Sequence, residues 1–227
     1  NVTALLESID NASVIYDGIR EYGNLGPGES GTSQTPFVIN IWPDAFDGQI
    51  ARQRLTLRDQ NNNSWETIIE IPIRAPKFIV TRAIIPEGDS LMNPGETVNL
   101  KIVLSNNGSL NAQGVTGIVT TDDDYTNVAG SIANFGDISI SGSGENSNSL
   151  ISITCDSSAF RGRNIGLVLH TSTMTGSKSS IPFTLPVGRI TQRDPVGTDA
   201  YGYYMYDRMD SAYAMMPTYQ WVEISPD

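Results

Sequence analysis

The stretch Asn93-Pro94-Gly95-Glu96-Thr97-Val98-Asn99-Leu100-Lys101-Ile102-Val103-Leu104-Ser105-Asn106-Asn107-Gly108 sets a strand between two turns. Pro presets φ for a reversal, and Gly and Asn tolerate the left-handed region, so both flanks read as turns. Between them branched residues alternate with polar ones at period 2, the pattern of a strand with one buried face. The same grammar runs outward in both directions. Strands are expected over residues 2–6, 37–42, 53–58, 65–73, 97–105, 115–120, 150–155, 164–169 and 180–185. Turn clusters such as Gly26-Pro27-Gly28, Asp59-Gln60-Asn61-Asn62-Asn63 and Ser141-Gly142-Ser143-Gly144 separate them. Helical periodicity is nearly absent. Many short strands punctuated in this way predict an all-β chain of antiparallel β-sandwiches.

Self-similarity refines the expectation. A shift of 113 places Val2-Thr3 on Val115-Thr116, Leu5-Leu6 on Ile118-Val119, Asp10 on Asp123, Ile19 on Ile132 and Tyr22-Gly23 on Phe135-Gly136. A shift of 114 then places Ala45-Phe46 and Gly48 on Ala159-Phe160 and Gly162, and Ile71-Pro72-Ile73 on Leu185-Pro186-Val187. Tandem copies of one Ig-like module are therefore expected: a partial sandwich over 1–76, a complete one over 77–187, and a further segment over 188–227. Residues 77–114 have no counterpart in the first copy, which is expected to lack its N-terminal strands. Either the natural chain continues upstream of Asn1, or another chain supplies those strands by β-augmentation. The start at Asn1 without a methionine reads as a processed or excised polypeptide.

Composition sets the partner classes. The 227 residues carry 14 Lys+Arg against 25 Asp+Glu, a formal net charge of -11. Such a balance repels phosphate backbones, so nucleic acid is not expected as a partner. No apolar run approaches the roughly 20 residues of a membrane span, so no membrane insertion is expected. One cysteine, Cys155, excludes an intrachain disulfide framework and a multi-cysteine zinc site.

The run Asn93-Pro94-Gly95-Glu96-Thr97-Val98-Asn99-Leu100, with Leu104-Ser105-Asn106-Asn107-Gly108, Ala112 and Val115, resembles the first strands of the bacterial Ig-like adhesion-type modules called CARDB or NEW3. The segment from Asp194-Pro195 to Tyr206-Asp207, with Pro217, Tyr219 and Trp221-Val222-Glu223-Ile224, is similar to segments that follow such modules in large secreted proteins of gingipain-type peptidase architecture. Those parents are exported by type IX-like systems. The resemblance implies an extracellular or cell-surface multidomain parent. It does not extend to the peptidase, whose catalysis needs a Cys nucleophile and a His base. Here Cys155 falls on the repeat partner Ile41, and His170 falls on Thr56, so each is explained as one slot of a sandwich.

Three further constellations bear on function. Asp122, Asp123 and Asp124 form the densest anionic cluster, with Asp10 at the equivalent place in the first copy. Hard cations take several carboxylate oxygens, so this is the candidate calcium site, weighed against a solvated loop; no other cofactor is expected. Residues 188–227 hold six of the nine tyrosines and four of the six methionines. Tyr201, Tyr203, Tyr204, Tyr206, Tyr213, Tyr219 and Trp221 are the candidate interface or glycan platform, because aromatic faces bury sugar rings and fill subunit contacts. Asn1, Asn11, Asn62 and Asn107 head glycosylation-type triplets, which arise easily in Asn/Ser/Thr-rich loops. No phosphate-binding glycine loop, Gly-x-Ser-x-Gly elbow or His-Glu-x-x-His pair is present.

The expected role is a non-catalytic structural, spacer or adhesion module of a secreted or surface protein. Its partners would be flanking domains of the same parent, neighbouring copies of itself, or cell-surface glycan. A self-assembling filament, sheath or surface-layer subunit with exchanged strands is the alternative. An accessory substrate-binding region of a secreted peptidase is a third.

Overall fold

The structure, a computed structural model, describes residues 1–197, 201–214 and 216. No helix occurs among the described residues. In chain order the strands are β1 (Val2–Ser8), β2 (Ser13–Asp17), β3 (Ile19–Gly23), β4 (Val38–Ile41), β5 (Ile50–Asp59), β6 (Ser64–Pro72), β7 (Phe78–Ile84), β8 (Thr97–Asn106), β9 (Ala112–Thr120), β10 (Thr126–Val128), β11 (Ala133–Ile138), β12 (Ser143–Glu145), β13 (Ile151–Cys155), β14 (Asn164–Ser172) and β15 (Lys178–Pro186). The strand pairs are antiparallel throughout.

The second set of strands makes two sheets, β10-β13-β8-β12 with β7 also on β8, and β11-β9-β14-β15. Alternation explains the core between them. Leu100, Ile102 and Leu104 of β8 and Ile151 and Ile153 of β13 are fully buried, against Val115 of β9 and Ile165, Leu167 and Leu169 of β14. Along β8, residues Thr97 to Leu100 pair with β13 and Val103 to Ser105 pair with β12. Between those stretches the buried Asn146 side chain takes up the strand's free groups. Its Oδ1 accepts from Ile102 N–H at 2.6 Å, and its Nδ2 donates to the carbonyls of Leu100 at 3.3 Å and Ser149 at 2.9 Å. A side-chain amide thus does the work of a missing ladder bond.

The first set repeats this plan with the same register. Its sheet β3-β1-β5-β6 matches β11-β9-β14-β15, and its pair β2-β4 matches β10-β13. Val2 opposes Gly23 and Thr3 opposes Glu21 across a bulge, as Val115 opposes Gly136 and Thr116 opposes Asn134. The bulge glycines adopt φ of 72° and 69°, a region that favours glycine. Glu7 opposes Arg54 as Thr120 opposes Val168, and Ser13 opposes Ile41 as Thr126 opposes Cys155. The duplication read from sequence is therefore a duplication of hydrogen-bond ladders.

The copies differ where residues 77–114 lack a counterpart. Nothing among the described residues of the first copy corresponds to β7 or β8. A match to β12 is also missing, since β12 pairs with β8 and has nothing to pair with in its absence. The consequence shows in the core. The compact cluster of the first copy reduces to Ala12, Ala51 and Ile73, with Ile41, Ala45 and Ile71 partly covered.

Candidate functional site

Both copies end in the same clamp. After β6, Gly48 N–H donates to the Ile73 carbonyl at 3.0 Å, and Ile73 N–H donates to the Gln49 carbonyl at 2.8 Å. After β15, Gly162 N–H donates to the Val187 carbonyl at 2.7 Å, and Val187 N–H donates to the Arg163 carbonyl at 2.9 Å. Gly48 and Gly162 both have φ of 81°, so the clamp needs a residue without Cβ at that point. Each module thereby fixes the direction in which its chain leaves.

At the first exit the clamp continues into the second module. Asp47 Oδ1 accepts from Ala75 N–H at 3.0 Å and from the Ser109 hydroxyl. These two donors, the Ala75 amide foremost, hold the Asp47 carboxyl below the usual carboxylate range. Lys178 N–H donates to the Pro43 carbonyl at 2.7 Å, so the β14–β15 hairpin also touches the first module. At the second exit the same loop receives the aromatic segment. Phe160 stacks on Tyr204 with centroids 3.5 Å apart and on Tyr213 at 4.4 Å, with Tyr206 tilted at 6.4 Å. Burial pushes the Tyr213 hydroxyl up from its ordinary pKa. Arg161 pairs with the buried Asp194 at 3.5 Å, and Ala212 N–H donates to the Arg193 carbonyl at 2.8 Å.

The structure thus divides the predicted aromatic set. Tyr204, Tyr206 and Tyr213 converge on Phe160. Tyr201 and Tyr203 point outward, 85% and 72% exposed, with ring centroids 6.5 Å apart. Tyr219 and Trp221 lie outside the described residues. Sequence reasoning named the incoming tyrosines but missed the receiving Phe160 and Arg161. The repeat held the clue, since it places Phe46 and Phe160 at the same point.

Asp123 of the candidate calcium site serves a turn. Asp123 Oδ1 accepts from Tyr125 N–H at 3.0 Å and Thr126 Oγ1 at 2.9 Å, and Oδ2 pairs with Arg163. The Arg163 guanidinium lies over the Tyr125 ring, 4.7 Å from its centroid. In the first copy Asp10 Oδ1 accepts from Ala12 N–H at 2.9 Å, and Oδ2 accepts from Arg52 N–H at 2.6 Å. The shared role of Asp10 and Asp123 is to close the turn before β2 and β10. Among the described residues, Asp122, Asp123 and Asp124 join no group of three or more His, Cys, Asp or Glu side chains that could hold a metal ion.

Cys155 and His170 occupy different sheets. Cys155 is buried on β13, where burial pushes the thiol pKa up and disfavours the thiolate. His170 is exposed on β14, with Nε2 2.9 Å from Thr120 Oγ1 and Nδ1 2.9 Å from Ser180 Oγ. Neither residue of the pair hydrogen-bonds the other. No protein-family model matches the chain, and no curated protein matches it in sequence.

Proposed function

We propose that this chain is a non-catalytic spacer, built of Ig-like modules of the CARDB or NEW3 kind, in an extracellular or cell-surface parent. The observation that carries the reading is the repeated exit clamp at Gly48–Ile73–Gln49 and Gly162–Val187–Arg163. A structure that fixes the outgoing direction of every module is suited to holding flanking domains at a set distance. The buried thiol of Cys155 and its separation from His170 favour a role without nucleophilic catalysis. Small-angle scattering on the full chain tests the spacer role. A single extended envelope that loosens when Asp47 and Ser109 are both replaced by alanine is the expected result. Hydrolysis of peptide or glycan substrates by the purified chain would overturn it.

A second reading, adhesion to glycan, rests on the outward Tyr201 and Tyr203. Stacking of sugar rings on these faces would lose affinity in a Tyr201→Ala, Tyr203→Ala double variant. Glycan-array binding that is equal for both proteins, or absent from both, excludes it.

A further inference from the structure

The first module offers an edge and a face that the second module covers with its own chain. In the second module β13 pairs on one side with β10 and on the other with β8. Among the described residues its counterpart β4 pairs only with β2. The positions that β7 and β8 help to enclose lose cover accordingly. Ile153, Cys155, Leu169 and Leu185 are buried, whereas their counterparts Ile39, Ile41, Leu55 and Ile71 are only partly so. A cleft of about 580 Å3 runs along this edge, lined by Ile39, Ile41, Ile71, Ile73 and, from the second module, Leu110 and Thr175. An unpaired strand edge calls for a partner strand.

We propose that the first module is closed by a strand pair of the β7–β8 type, carried by the same polypeptide and joined to β1 by a short turn through Asn1. The second module supplies the template. There Leu100, Asn99, Val98 and Thr97 oppose Ile151, Ser152, Ile153 and Thr154. The closing strand therefore opposes Phe37, Val38, Ile39 and Asn40 and lays alternate branched side chains over Ile39, Ile41, Leu55 and Ile71. Strand β8 passes to β9 through residues 107–111 alone. Since β1 is the counterpart of β9, the closing strand reaches Val2 by a similarly short turn. The turn after β8 also belongs to the junction between modules, where a Cβ on Gly108 would lie 2.3 Å from the Ala75 carbonyl oxygen. A strand pair closing the first module extends that junction one module further. Closure is needed whether or not the protein acts as a spacer.

Amide hydrogen exchange with solution sizing tests the proposal. In the 227-residue chain, as a monomer, residues 37–41 are expected to exchange at least tenfold faster than residues 151–155. Fusing a second copy of residues 77–111 ahead of Val2 is expected to slow residues 37–41 by at least tenfold while the chain stays monomeric. Protection of residues 37–41 in the unfused monomer would show that the edge is already closed and overturn the proposal. Protection that grows with concentration alongside dimers or fibres would assign the closing strand to a second copy and overturn it equally. A fused strand pair that leaves the exchange of residues 37–41 unchanged would also reject it.

Discussion

Phe160 and Tyr204 stack with planes inclined by 7°, while Phe46, at the same point of the first copy, is 66% exposed. Among the described residues one loop position thus receives an aromatic partner in one copy and none in the other. The contact anchors residues 201–213 to the second module. Aromatic pairs contribute roughly 0.5–1.5 kcal/mol each beyond area burial, and Phe160 makes two stacked ones. Phe160→Ala is expected to weaken docking of the segment by about 2 kcal/mol while leaving the second core folded. Limited proteolysis should then cut after residue 188 more than tenfold faster, with the main melting transition shifted little.

Asn146 should be among the residues least tolerant of change. Its truncation leaves the Ile102 N–H and the Leu100 carbonyl of β8 buried without their partner. Each orphaned group costs about 1–3 kcal/mol, so Asn146→Ala is expected to lower stability by about 3 kcal/mol in urea unfolding. Asn146→Asp keeps the acceptor but loses both amide donations, and should recover only part of the loss.

Cys155 is a core side chain with a raised thiol pKa, so its reactivity should report on unfolding. Labelling by a disulfide reagent at pH 8 is expected to be slow in the native protein and immediate in denaturant. Cys155→Ala should remain folded, and Cys155→Ser should cost about 1–3 kcal/mol, because a hydroxyl replaces an apolar thiol in a dry core.

The joint at Asp47 carries a pH dependence of known sign. Its folded pKa lies below the usual value, so the carboxylate stabilises the joint at neutral pH. That contribution is lost as pH falls from the ordinary carboxylate pKa, about 3.9, through the lowered folded one. Scattering or NMR shifts at Ala75 and Ser109 should show the joint loosening in that acid window. Asp47→Ala should show the looser joint at neutral pH and no further change on acidification.

Legibility followed the length of the alternating runs. β5, β6, β8, β9, β14 and β15 each hold nine or ten residues, enough for a period of 2 to stand out. β10 and β12 hold three residues each and show no period at all. β3 ends and β11 is interrupted at a bulge glycine, which breaks the alternation. The repeat carried further than any single strand, because matched side chains implied a matched register. The site was less visible. An aspartate run reads as a ligand set by composition alone, whereas the structure shows Asp123 held by the Tyr125 amide, the Thr126 hydroxyl and Arg163, partners that composition does not record. Likewise one phenylalanine in a loop gives no pattern, although it is the surface on which the tyrosines gather.

The exit clamp has a consequence for how such a protein changes length. Its two bonds join residues within one module, Gly48 and Gln49 to Ile73, and again Gly162 and Arg163 to Val187. A gene duplication that copies a whole module copies its hinge pin along with it. The side chains beside the pin are free to differ, as Asp47 meets Ala75 and Ser109 at the first exit and its counterpart Arg161 meets Asp194 at the second, so what each copy is joined to can change while the pin stays.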